Sequence, residues 1–241
     1  MPDILATNVA TVGSTGLSAT WGNFRDDDTG NHVDTSADGL DLGRNRFFAR
    51  GNTFNILYRV FFAFDTSGIS VTPSAATLKI YGRSYAAADF FVVGGAQGLG
   101  DPANADFDAI TGWNVSGGGA SDGNGGGTQE NNVRKYSDEV TVWSTSGYNN
   151  ITLTTYALAD MATYPRLDVC LIESVFDLRD SDTNGSNYTG MHFDDDAGKE
   201  ITLSYIEGSA GYANTVNGIP ANGIGSINGV ATANISRVNG V

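Results

Sequence analysis

Two runs between Tyr58 and Tyr81 set the hydrophobic pattern of this chain. Arg59–Phe64 is apolar nearly throughout, as expected of a central strand covered on both faces. In the second run Ala76, Leu78 and Ile80 alternate with Thr77, Lys79 and Tyr81, the period-two signature of a half-buried strand. A polar link carrying Gly68 and Pro73 joins them, and the pair is expected to nucleate a sandwich. Around it, the same patterns predict a strand pair over Asn45–Leu57 turning near Gly51-Asn52. Further strands are predicted at Asp89–Val93, Glu139–Trp143, Asn150–Thr155, Leu167–Val175 and Ile201–Ile206. Tyr156–Met161 reads as one helical turn and Thr183–Gly190 as a loop. Gly94–Asn132, which contains two triple-glycine runs, predicts a long excursion pinned to the sandwich by Ile110 and Trp113. Nothing predicts a long helix.

The two ends read differently. Residues 1–44 are rich in Gly, Ser, Thr and Asp with isolated apolar positions, which predicts an N-terminal arm or short edge strands. Residues 45–208 hold the sandwich. In 209–241, three units recur at an 11-residue period: Val216-Asn217-Gly218-Ile219, Ile227-Asn228-Gly229-Val230 and Val238-Asn239-Gly240-Val241. An 11-residue period can mark a right-handed coiled coil, but three Asn-Gly pairs and few helix formers argue against a helix. Asn-Gly favours positive φ and marks tight turns between short β segments. Each unit has too few apolar residues to bury a core alone. The tail is therefore expected to gain order by pairing with another chain, as an assembly element.

Two resemblances follow from these residues. Arg59, Phe64-Asp65, Ser67 and Ile69, then Ala76, Leu78, Ile80 and Tyr81 after a proline-containing link, resemble the DNRLRE family of jelly-roll domains. The likeness spans about Asn45 to Glu207 and is joined by the Trp143 segment and the closing Ile201–Tyr205 strand. It implies a jelly-roll β-sandwich, found in large surface proteins and some phage particle proteins, and no single activity. The tail resembles the Val-Asn-Gly-Val repeats that end many virion proteins of tailed phages, often behind a lectin-like or jelly-roll domain. That likeness implies an oligomeric virion component assembled in the host cytoplasm, with other virion proteins and its own copies as partners. Short repeated β segments that can wrap a symmetry axis point to a homotrimer.

Composition narrows the classes. The 241 residues include 27 acidic and 13 basic side chains, a formal net charge of −14. Such a surface is repelled by phosphate backbones and anionic membranes, so neither nucleic acid nor membrane is an expected partner. No run approaches the roughly 20 apolar residues of a membrane-spanning helix. The N-terminal residues lack the basic and apolar regions of a secretory signal, and the single cysteine, Cys170, cannot form an intrachain disulfide. Folding in a reducing cytoplasm is the expectation.

Candidate chemistry is sparse. Cys170 lies in an alternating strand and reads as a small core residue. His32 and His192 fall in separate predicted loops, and no phosphate-cradling glycine motif follows a strand. No pair of carboxylates stands out for glycoside hydrolysis. The chain is expected to be non-enzymatic and to need no cofactor, with a structural Ca²⁺ ion as the candidate metal. Its oxygen ligands would come from Asp194, Asp195 and Asp196, or from Asp26–Asp28 or Asp180–Asp182. A carbohydrate-binding adhesin is the alternative function, and its candidate glycan contacts are Tyr85, Trp113, Tyr148 and Tyr188, aromatics in or near loops.

Overall fold

The computed structural model describes residues 2–17, 21–36, 40–49, 51–86, 88–113, 129–181, 187–208, 226–227 and 230–231. Its elements run β1 (Asp3–Leu5), β2 (Thr7–Leu17), α1 (Trp21–Arg25), β3 (His32–Asp34), β4 (Leu40–Ala49), β5 (Asn52–Asp65), β6 (Ala75–Ala86) and β7 (Phe90–Gly94). A 3₁₀ turn (Asn104–Asp106), β8 (Tyr148–Thr152), α2 (Thr155–Thr163), β9 (Arg166–Glu173) and a π-helical turn (Ser174–Leu178) follow. β10 (Asn187–Asp194), β11 (Thr202–Ile206) and the short β12 (Ser226–Ile227) and β13 (Val230–Ala231) complete the chain.

The chain forms an all-β sandwich, and β5 is the strand on which it divides. Along one edge β5 pairs β2. Along the other it pairs β4 as far as Tyr58, then β9 from Val60 to Asp65. The sheet therefore forks near Arg59. One branch continues through β4, β10 and β6 to β8, with β11 and then β1 beside the first half of β6. The other runs through β9 to β7. Leu40, Leu42, Leu78, Ile80 and Phe193 of the first branch meet Val60, Phe62, Phe64, Phe90, Val92 and Leu171 of the second in one core.

The second branch is covered on its other face too. Leu57, Phe61, Phe91, Val93, Cys170 and Ile172 alternate with the residues just named and pack against Trp21, Phe24, Phe107, Ile110, Val133 and Phe176, none of which lies in a strand. Burial on both faces explains the unbroken apolar run of β5. The central pair, the Asn45–Leu57 hairpin and the strands at 89–93, 167–175 and 201–206 lie where the sequence pattern put them, within a few residues.

Other segments differ from the pattern. Within residues 1–44, β1 and β3 are short edge strands, but β2 is an 11-residue strand lying between β5 and β3, so this region is part of the body and not a separate arm. Its glycines and hydroxyl residues hid it. Gly13 is required there because a Cβ would stand 2.1 Å from the Tyr58 ring. Glu139–Trp143 holds only a single bridge, Phe90↔Val140. Residues 187–190 are strand because β10 fills the space between β4 and β6, a long-range pairing that no local alternation announces. The helical turn at 156–161 is the nine-residue α2.

Candidate functional site

In the second core, three arginines are fully buried: Arg25, Arg44 and Arg59. Arg59 donates from Nη2 to Asp177 Oδ1 at 2.6 Å and from Nε to Asp177 Oδ2 at 2.8 Å, a bidentate pair with both partners out of water. Its remaining donors reach the carbonyls of Phe107 and Arg25. Burial alone depresses the guanidinium, but the Asp177 charge and hydrogen bonds outweigh it, and its pKa stands above the ordinary arginine value. Asp177 is presented by the π-helical turn, which Glu173 caps by accepting from the N–H groups of Val175, Phe176 and Asp177. Burial pushes the Glu173 carboxyl up to about 7 despite those three donors. This cluster ties α1, β5, the 3₁₀ turn and the π-helical turn together, and its charged groups are sealed inside.

An open cavity of about 540 Å³ lies elsewhere, between the start of β9, the end of α2 and the loop after β7. Gln97, Arg134, Asp160, Tyr164, Arg166 and Asp168 line it. Its floor is rigid. The Gly94 N–H donates to Arg134 O and the Arg134 N–H to Thr111 O, so Arg134 is clamped between neighbouring chains. Its guanidinium holds both oxygens of Asp160, from Nη2 to Oδ1 at 2.7 Å and from Nε to Oδ2. Tyr136 donates its hydroxyl to the same carboxylate at 2.8 Å. Burial first, then that hydrogen bond, raises the Tyr136 pKa.

Arg166 pairs with Asp168 at 2.7 Å and donates from Nη1 to Gly98 O. Burial raises the Asp168 pKa and the adjacent Arg166 charge moderates the rise. Gln97 is 3% exposed, and its Nε2 donates to Phe62 O. Tyr164, at the rim, is 56% exposed. The cavity thus combines an open aromatic face, two arginine–carboxylate pairs that cancel each other's charge, and a side-chain amide.

Of the aromatics singled out in the sequence, Trp113 and Tyr148 lie in different surroundings. Trp113 is half-buried with its ring against Arg59 (4.4 Å) and Arg25 (5.0 Å), so its face is occupied by guanidinium groups. Tyr148, in β8, is 41% exposed, packs edge-on to Tyr81 and donates to Gly198 O. Tyr85 and Tyr188 lie in β6 and β10, and their side chains fall outside the described residues.

Asp194, Asp195 and Asp196 do not converge on a common centre. Lys199 turns back to Asp194 at 2.6 Å and reaches Asp196 at 4.0 Å, and Asp195 accepts the Ile201 N–H. A lysine ammonium therefore stands where a cation would be drawn. Asp26 pairs with Arg25, and Asp180 accepts from Trp21 Nε1. Among the described residues, no group of three or more His, Cys, Asp or Glu side chains is placed to hold a metal ion. His32 and His192 lie in strands instead of loops; His192 Nδ1 pairs with Asp41, and the His32 ring rests on Tyr58 at 5.1 Å. Cys170 is fully buried, and burial pushes its thiol well up.

Of the tail, Ile227 and Val230 are described: they pair in antiparallel register across the middle Asn-Gly, joining β12 to β13. Val216, Asn217, Gly218, Ile219, Asn228, Gly229, Val238, Asn239, Gly240 and Val241 lie outside the described residues. The cleft residues carried no sequence signal, because four separated segments supply them. The nearest hint was an aromatic at a helix end, Tyr164-Pro165. No protein-family model matches the chain, and no curated protein matches it in sequence.

Proposed function

We propose that this chain is a non-enzymatic structural protein of a tailed-phage virion, a jelly-roll body displayed on the particle as a head decoration or a tail or fibre appendage. The observation that carries this reading is the in-phase repetition of Val/Ile-Asn-Gly-Val/Ile through residues 216–241. The antiparallel Ile227↔Val230 pair supports the turn assigned to each unit. Strands of two residues are marginal alone, so the repeats serve as pairing edges for copies of this chain or for other virion proteins.

The test is solution mass by light scattering, for the full chain and for a version stopped after Gly208. A full-length oligomer that becomes a folded monomer on truncation makes the repeats the self-assembly element. Two monomeric forms would rule out self-association through the tail. Pull-down of purified particles by the full chain but not the truncated one would then identify a second virion protein as the acceptor, and failure of both experiments would remove the virion reading.

A second reading, a carbohydrate-binding adhesin module that meets a cell-surface glycan, is favoured by one feature: the 540 Å³ cleft with Tyr164 exposed at its rim. The two readings join in a receptor-binding appendage.

A further inference from the structure

We infer that the cleft beside Tyr164 is a binding site for a neutral saccharide of one or two rings. This rests on the carbohydrate-binding reading and moves its site away from the aromatics that the sequence singled out.

Size and shape suit a small ligand: about 540 Å³ lies within the ~300–1,000 Å³ usual for small-molecule sites. Charge then selects the class. Arg134 is committed to Asp160 and Arg166 to Asp168, two cations against two carboxylates, so the walls present no net field to a phosphate, a uronate or an ammonium group. Around them the chain carries −14, which repels anionic polymers at long range. What remains is a surface rich in hydrogen-bonding groups of both kinds. Sugar hydroxyls are matched to such a surface because each donates and accepts.

Two further features point to sugar and away from an apolar ligand. Tyr164, exposed at the rim of the cleft, supplies an aromatic ring against which the C–H side of a pyranose can stack, beside the arginine–carboxylate pairs of the same lining. Two polar atoms of the lining residues are also incompletely matched: Gln97 Oε1 and Arg166 Nη2 are a buried acceptor and a buried donor without a hydrogen-bond partner among the described residues. The clamping of Arg134 by Gly94 and Thr111 means the polar groups stand in place before any ligand arrives, which lowers the ordering cost of binding.

The experiment is titration calorimetry with saturation-transfer NMR on the full chain. Its probes are maltose, cellobiose, lactose, mannobiose and N-acetyllactosamine, with digalacturonate and sialyllactose as the acidic set. At least one neutral disaccharide is expected to bind, with affinity falling tenfold or more in Tyr164→Ala and in Asp168→Asn and unchanged in Tyr148→Ala. Thermal melts of each variant establish that loss of binding is not loss of fold. Binding that survives both cleft substitutions in folded variants, or a preference for the acidic set, overturns this assignment while leaving the adhesin reading standing. No binding across the whole panel overturns both.

Discussion

Arg59 is where a single side chain decides most. It begins the apolar run that the sequence made obvious, yet it faces the second core, fully buried against Asp177. Breaking a buried pair strands the surviving charge, so Arg59→Met and Asp177→Asn are each expected to cost about 3–5 kcal/mol in urea denaturation. The double variant should lose clearly less than the sum, since the second change removes the stranded partner. Glu173 sets a pH dependence in the same cluster. Burial holds its carboxyl at about 7, above the ordinary value of 4.5, so the folded chain keeps a proton here that the unfolded chain has released. The stabilisation is complete below pH 4.5 and is lost as pH rises through about 7. Relative to Glu173→Gln, the wild type should lose about 1–3 kcal/mol of stability between pH 4.5 and about pH 8, and a pH-independent difference would refute the assignment.

At the scale of elements, the fold depends on β4 lying between β5 and β10. Gly43 makes that approach possible. Its φ is +130°, and a Cβ would stand 2.2 Å from Thr189 O on β10. Gly43→Ala therefore combines backbone strain with a backbone clash and is expected to destabilise by more than about 2 kcal/mol, lowering the melting temperature without altering oligomeric state. Alternation revealed β6 and the core-facing half of β5. It failed for β2, whose small and polar residues are buried because neighbours on both edges enclose them. It misread Glu139–Trp143, where alternating residues run along β7 with one bridge and no ladder. The cleft was equally hidden: Gln97, Arg134, Asp160 and Arg166 come from four segments that only the pairing of β9 with β5 and β7 brings to one place.

For the whole molecule, charge and the tail set the expectations. With −14 on 241 residues, self-repulsion opposes the compact state. Raising sodium chloride from about 10 to 300 mM, where screening shortens the range of that repulsion, should raise the melting temperature. The body closes through β1 on β11 and β11 on β6, with Ser74 donating to Ile206 O beside the last strand. The version stopped after Gly208 is thus expected to melt within a few degrees of the full chain while differing in mass, and a body that unfolds on truncation would make the tail part of the fold.

The sequence by itself determined the all-β class, the central strand pair, the acidic surface and the 11-residue repetition, because each is written in local order: alternation, composition and spacing. Tertiary structure alone decided that the N-terminal residues belong to the body, that a second core hides an arginine–aspartate cluster, and that an open cleft forms beside Tyr164. These depend on which distant strands become neighbours. A strand's own residues specify which of its faces is apolar, but not which partner covers it, nor what side chains that partner brings.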